Sequence, residues 1–123
     1  MTKEKTIRRY FSGWENQDWN AIVVLLTPDF TFTSPNDDDH IDQRAFKQKC
    51  WPGDWIASFE LEAIAECGNN AFVKYLCRIR DGRSIRNTEY FMFADEKIRA
   101  IEVYFGEGSV ALMKSQWEAN ANH

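Results

Sequence analysis

Apolar positions recur mostly with a helical period in the first half of the chain and with a strand period in the second. In the first quarter Ile7, Tyr10, Phe11 and Trp14 recur at i, i+3, i+4 and i+7, which stripes one face of a helix. Asp18 can cap a second helix that carries Ile22, Leu25 and Leu26 and stops at Pro28. Phe30 to Ser34 then alternates phenylalanine with threonine, the period of a strand. Pro35 to Asp39 reads as a loop. Asp42 reads as the cap of a third helix, with Ile41 and Phe46 as its hydrophobic staple, ending near Trp51-Pro52-Gly53.

From there the pattern has period two. Phe59, Leu61, Ala63 and Ala65 alternate with Glu60, Glu62, Ile64 and Glu66, and Gly68-Asn69-Asn70 turns the chain. Val73, Tyr75, Cys77 and Ile79 alternate with Lys74, Leu76, Arg78 and Arg80. Asp81-Gly82 is a hairpin signal. Strands follow at Ser84 to Phe93 and Ile98 to Phe105, and Met113 to His123 reads as a frayed polar tail. Helices first and hairpins afterwards is an α+β pattern. At 123 residues the expectation is a single domain over 1–123.

Composition narrows the classes. The chain is 44% hydrophobic and 15% aromatic, enough for an aromatic core or cavity. A formal net charge of -4 and no basic patch argue against nucleic-acid or anionic-membrane partners. No apolar run reaches spanning length, and a charged opening without an apolar core argues against a signal peptide. Cys50, Cys67 and Cys77 are odd in number and lack metal-ligand spacing, so free thiols in a cytoplasmic protein are expected, with no cofactor and no metal. Asp37, Asp38 and Asp39 read as a solvated acidic loop.

Tyr10 to Pro35, YFSGWENQDWNAIVVLLTPDFTFTSP, resembles the opening of the nuclear transport factor 2-like superfamily, nearest its ketosteroid isomerase and SnoaL-like polyketide cyclase branches. EKIRAIEVYFG resembles that family's last strand. The resemblance covers roughly Thr6 to Gly106. It implies a cystatin-like cone: a strongly bent antiparallel sheet wrapped around N-terminal helices, with a pocket between them. Isomerases of this type pair a helix tyrosine with a protonated acid as oxyanion donors, and a strand carboxylate shuttles the proton. Carried over, Tyr10 matches the tyrosine and Glu89 falls near the acid. The base position holds Ser34, which cannot take a proton from carbon at neutral pH without a partner base.

The face of Glu89 depends on one turn. A two-residue loop at Asp81-Gly82 pairs Lys74 with Glu89 and puts the carboxylate outside. A type I turn with a glycine bulge pairs Val73 with Glu89 and Tyr75 with Asn87, which places Glu89, Asn87, Tyr75 and Cys77 inside. The resemblance and the apolar Val73 face favour the second. There Tyr10, Glu89 and Asn87 would share a hydrogen-bonded site. His40 reads either as a solvated loop histidine or, in an enzyme, as the replacement base oriented by Asp38 or Asp39. Trp14, Phe32, Ser34, Trp51, Trp55, Tyr75, Asn87 and Phe105 are the expected ligand-binding residues, with Trp51 and Trp55 as an aromatic lid.

Two functions follow from this reading. One is isomerase-, cyclase- or dehydratase-type acid/base chemistry on a small, mostly apolar molecule. The other is a non-catalytic ligand-binding or dimerisation module. A homodimer is expected through the outer sheet face, with Leu76, Tyr90, Met92 and Tyr104 at its centre and Glu60, Glu62, Arg78 and Arg86 at its rim.

Overall fold

A computed structural model describes residues 1–36 and 38–106. They form α1 (Lys3–Glu15), α2 (Trp19–Val23), β1 (Leu26–Ser34), β2 (Asp38–Asp42), α3 (Gln43–Cys50), β3 (Ile56–Cys67), β4 (Asn70–Ile79), β5 (Ser84–Ala94) and β6 (Lys97–Phe105). The expected tail from Met113 onward, and Asp37, lie outside the described residues. None of the described helices is long and apolar enough to cross a membrane.

Each helix begins on a side-chain oxygen that accepts an otherwise orphaned backbone N–H. Thr2 caps α1 through Lys5, Asp18 caps α2 through Ala21, and Asp42 caps α3 through Ala45. The stripe of Ile7, Tyr10, Phe11 and Trp14 is buried. Its burial is worth roughly 6–12 kcal/mol, far more than the propensity of a 13-residue helix supplies alone. Helix α2 is shorter than its pattern suggests. It ends at Val23, and Leu26 already opens β1. Pro28 therefore lies inside a strand rather than ending a helix. It falls where pairing with β6 is interrupted between Leu26 and Thr31, so its missing N–H breaks no ladder bond there.

The strands make one strongly curved, unclosed sheet in the order β2-β1-β6-β5-β4-β3. Pairing is antiparallel throughout except between β1 and β6, which run parallel. Strand β2 takes up the end of the expected acidic loop. Asp38 pairs with Ser34 and Ile41 with Phe32, so Asp38 and Asp39 lie on an edge strand. A second difference lies in β3, where the register shifts between Leu61 and Ala63. The extra residue reverses the alternation. Phe59, Leu61 and then Ile64 reach the core, while Ala63 and Ala65 are exposed.

The turn after β4 settles the face of Glu89. Gly82 has φ 98°, and its N–H donates to the Ile79 carbonyl. Val73 pairs with Glu89 and Tyr75 with Asn87. Glu89 consequently points to the helix-covered face and is buried.

Candidate functional site

The inner face of β5 presents Ile85, Asn87, Glu89 and Phe91 at every second position, and β4 presents Val73, Tyr75 and Cys77 beside them. Helix α1 covers this surface. The Tyr10 ring meets Phe91 edge-on at 5.4 Å, and Phe11 packs on Phe59 at 4.9 Å and Tyr75 at 5.1 Å. The rings do not fill the space completely. A cavity of about 80 Å³ remains, lined among others by Tyr10, Trp14, Trp55, Phe59, Tyr75 and Glu89. That is below the roughly 150 Å³ that accommodates benzene, so a ring-sized ligand requires the wall to give.

One hydrogen-bonded chain crosses this apolar surface. The Gly106 N–H donates to Asn87 Oδ1 at 3.2 Å, the Asn87 amide donates to Tyr75 Oη at 3.4 Å, and Tyr75 Oη donates to Glu89 Oε2 at 2.6 Å. Burial raises the Glu89 carboxyl to about 7, although the Tyr75 hydrogen bond pulls it down. Burial, followed by the nearby Glu89 charge, pushes Tyr10 and Tyr75 well up and Cys77 to about 12. Burial likewise raises Cys50. These four groups are neutral at pH 7, whereas Glu89 changes charge there.

Four buried side-chain atoms of the described residues lack a hydrogen-bond partner, and two of them belong to the cavity wall: Glu89 Oε1 and Trp55 Nε1. Each costs on the order of 1–3 kcal/mol while unmet.

The structure brings together most of the residues singled out by sequence. Tyr10, Trp14, Phe32, Ser34, Trp55, Tyr75, Asn87, Glu89 and Phe105 all line the cavity. The expected bond from Tyr10 to Glu89 is replaced by one from Tyr75. Tyr75 lies on the adjoining strand, two positions from the residue opposite Glu89, where its hydroxyl reaches the carboxylate diagonally.

His40 lies elsewhere. It is exposed on edge strand β2 at φ 53°, and its Nδ1 lies 2.6 Å from Asp39 Oδ1. It cannot serve as the pocket base from there. Asp38 does not orient it. Asp38 is buried, accepts from Ser34 Oγ at 2.8 Å and forms an ion pair with Lys49. Trp51 packs on Trp14 at 5.2 Å and Trp19 at 5.4 Å, outside the lining. Among the described residues no three His, Cys, Asp or Glu side chains gather to hold a metal ion.

Phe46, Ile56, Phe59 and Val103 also line the cavity, although the sequence reading did not assign them to it. Their signal was ordinary apolar periodicity, which marks a core position and a cavity wall alike.

Residues 7–101 match the family model of the SnoaL-like domain. The chain belongs to this family. No curated protein matches the sequence. Among solved structures, this SnoaL-like chain resembles a nuclear transport factor 2-like protein of unknown function from Cytophaga hutchinsonii. The TM-score is 0.72 at 17% identity, covering 92% of this chain and 96% of that one. A protein with a ketosteroid isomerase-like fold from Catenulispora acidiphila, in complex with trimethylamine, gives TM-score 0.70 at 14% identity over 93% and 95%. A de novo designed protein with a curved β-sheet gives 0.78 at 14% identity over 97% and 99%. A designed chain shares this architecture, so the likeness shows the fold and carries no function.

Proposed function

We propose that this SnoaL-like protein binds a small, mostly apolar molecule bearing one oxygen function, and that Glu89 exchanges a proton with it in isomerase-type acid/base chemistry. The observation that carries this reading is the pair of unmet polar atoms, Glu89 Oε1 and Trp55 Nε1, on the wall of one aromatic cavity. A ligand oxygen satisfies the indole donor, and a carboxyl that titrates near neutrality has the acidity that proton transfer at pH 7 favours. In this role Tyr10, Trp14, Phe59 and Phe105 supply apolar contact, and Tyr75 and Asn87 hold the carboxyl. The three free thiols support a reducing, cytoplasmic setting.

A second reading, binding without chemistry, is favoured by Ser34. At the position where the related isomerases carry their base, its hydroxyl is already given to Asp38. The trimethylamine complex of the Catenulispora protein is consistent with uptake of small molecules by this fold.

Nuclear magnetic resonance of ¹⁵N-labelled protein titrated with acetone and cyclopentanone tests the binding step. The Trp55 indole N–H resonance, assigned by its loss in Trp55→Phe, should move saturably. An unmoved indole signal with both ketones contradicts the proposal.

A further inference from the structure

The hydrogen-bonded chain behind Glu89 has a direction, and one backbone group sets it. A backbone N–H can only donate, so the Asn87 side-chain atom 3.2 Å from the Gly106 nitrogen is the carbonyl oxygen. The Asn87 NH₂ is thereby turned to Tyr75 Oη, which accepts from it. The hydroxyl proton of Tyr75 then goes to Glu89 Oε2, 2.6 Å away. A proton on Oε2 would stand against that donor, which leaves Oε1 as the site for it.

We propose that Gly106, Asn87 and Tyr75 form a positioning relay that aims a hydrogen bond at Glu89 Oε2 and so confines the exchangeable proton of this residue to Oε1. The proposal rests on the reading above in taking Glu89 as the working group, and it adds Gly106 and a direction to the residues that act through it. Glycine is required at the head of the relay. A Cβ at position 106 would lie 2.1 Å from the Arg86 backbone oxygen, so only glycine brings this N–H within reach of both Arg86 O and Asn87 Oδ1.

Among the described residues, the titratable groups facing Glu89 are Tyr10 from α1, Cys50 from α3, and Tyr75 and Cys77 from β4. All four are neutral at pH 7, and none supplies a positive charge. The relay is therefore the chief support of the carboxylate form, and weakening it raises the titration midpoint.

The test is a ¹³C titration of the glutamate carboxyls in ligand-free protein, with Glu89 assigned by its absence in Glu89→Gln. The wild-type midpoint is expected at about 7. Tyr75→Phe should raise it by roughly half to one pH unit, the equivalent of one ordinary hydrogen bond. Asn87→Leu and Gly106→Ala should raise it by less, and Asn87→Ser substitutes if either variant fails to fold. Correctly folded variants with unmoved midpoints overturn the relay. So does a response confined to Tyr75→Phe, which would reduce it to a single bond. Because no ligand is present, failure of ketone binding leaves this result standing, and the reverse also holds.

Discussion

The Tyr75 hydroxyl meets only one of the two oxygens of Glu89, at 2.6 Å, and the other has no partner among the described residues. A carboxyl half satisfied in an apolar cavity prefers to be neutral, which ties stability to pH. The folded value of about 7 lies above the ordinary 4.5, so the native state binds the extra proton between them. The stabilising contribution is fully present below about 4.5 and is lost as pH rises through about 7. That gap is worth roughly 3 kcal/mol. Glu89→Gln should abolish this part of the pH dependence. Urea melts at pH 5 and pH 8 should show the variant gaining on wild type as pH rises; parallel loss in both proteins would argue against a raised Glu89.

Asp38 is buried, and among the described residues its cationic partner is Lys49. Removing that partner leaves an uncompensated carboxylate, so Lys49→Ala should cost about 3 kcal/mol by chemical denaturation. Asp38→Asn in the Lys49→Ala background should recover much of the loss. A Lys49→Ala protein as stable as wild type would show that the ion pair does not hold β2 and α3 together.

These two carboxylates also mark how far the sequence could be read. The helix stripe, the caps Asp18 and Asp42 and the β4–β5 alternation were legible because each follows a local period or a local cap. The face of Glu89 was legible only as two alternatives, since a single residue in the Gly82 turn reverses it. Asp38 was read as loop, because its strand depends on pairing with Ser34 and its burial on Lys49, 11 residues away. The bulge after Leu61 is likewise a cross-strand property, and it exchanged the roles of Ala63 and Ile64. Tyr75 rather than Tyr10 as the donor to Glu89 follows from distances that no periodicity encodes.

His40 was the sequence candidate for a base, and its exposed, left-handed position gives it no path to the cavity. Glycine adopts that backbone without strain. His40→Gly should therefore leave ketone binding and proton exchange unchanged within about twofold and should not lower the melting temperature. Loss of exchange in this variant would return His40 to the mechanism.

We further propose that the outer sheet face associates with a second copy. Phe72 stacks on Tyr90 at 4.4 Å, and Phe72 and Tyr104 are 42% and 53% exposed. Phe72 joins the Tyr90 and Tyr104 patch expected from sequence. Arg78 and Arg86 are already paired with Glu60 and Glu62 in the same chain, so the aromatics carry the contact. Light scattering at micromolar concentration should give a dimer mass, and Phe72→Glu should lower it. A monomer mass for the wild type would refute the contact.

Proton exchange on a bound ketone tests the central role of Glu89 most directly. In deuterated buffer, α-proton exchange of acetone and cyclopentanone is followed by proton resonance with and without protein. Wild type should accelerate the wash-in of deuterium with a pH profile whose midpoint lies at about 7, and Glu89→Gln should reduce the rate to that of buffer. Saturable binding of these ketones with no acceleration, or acceleration that survives in Glu89→Gln, would contradict a proton-transferring Glu89.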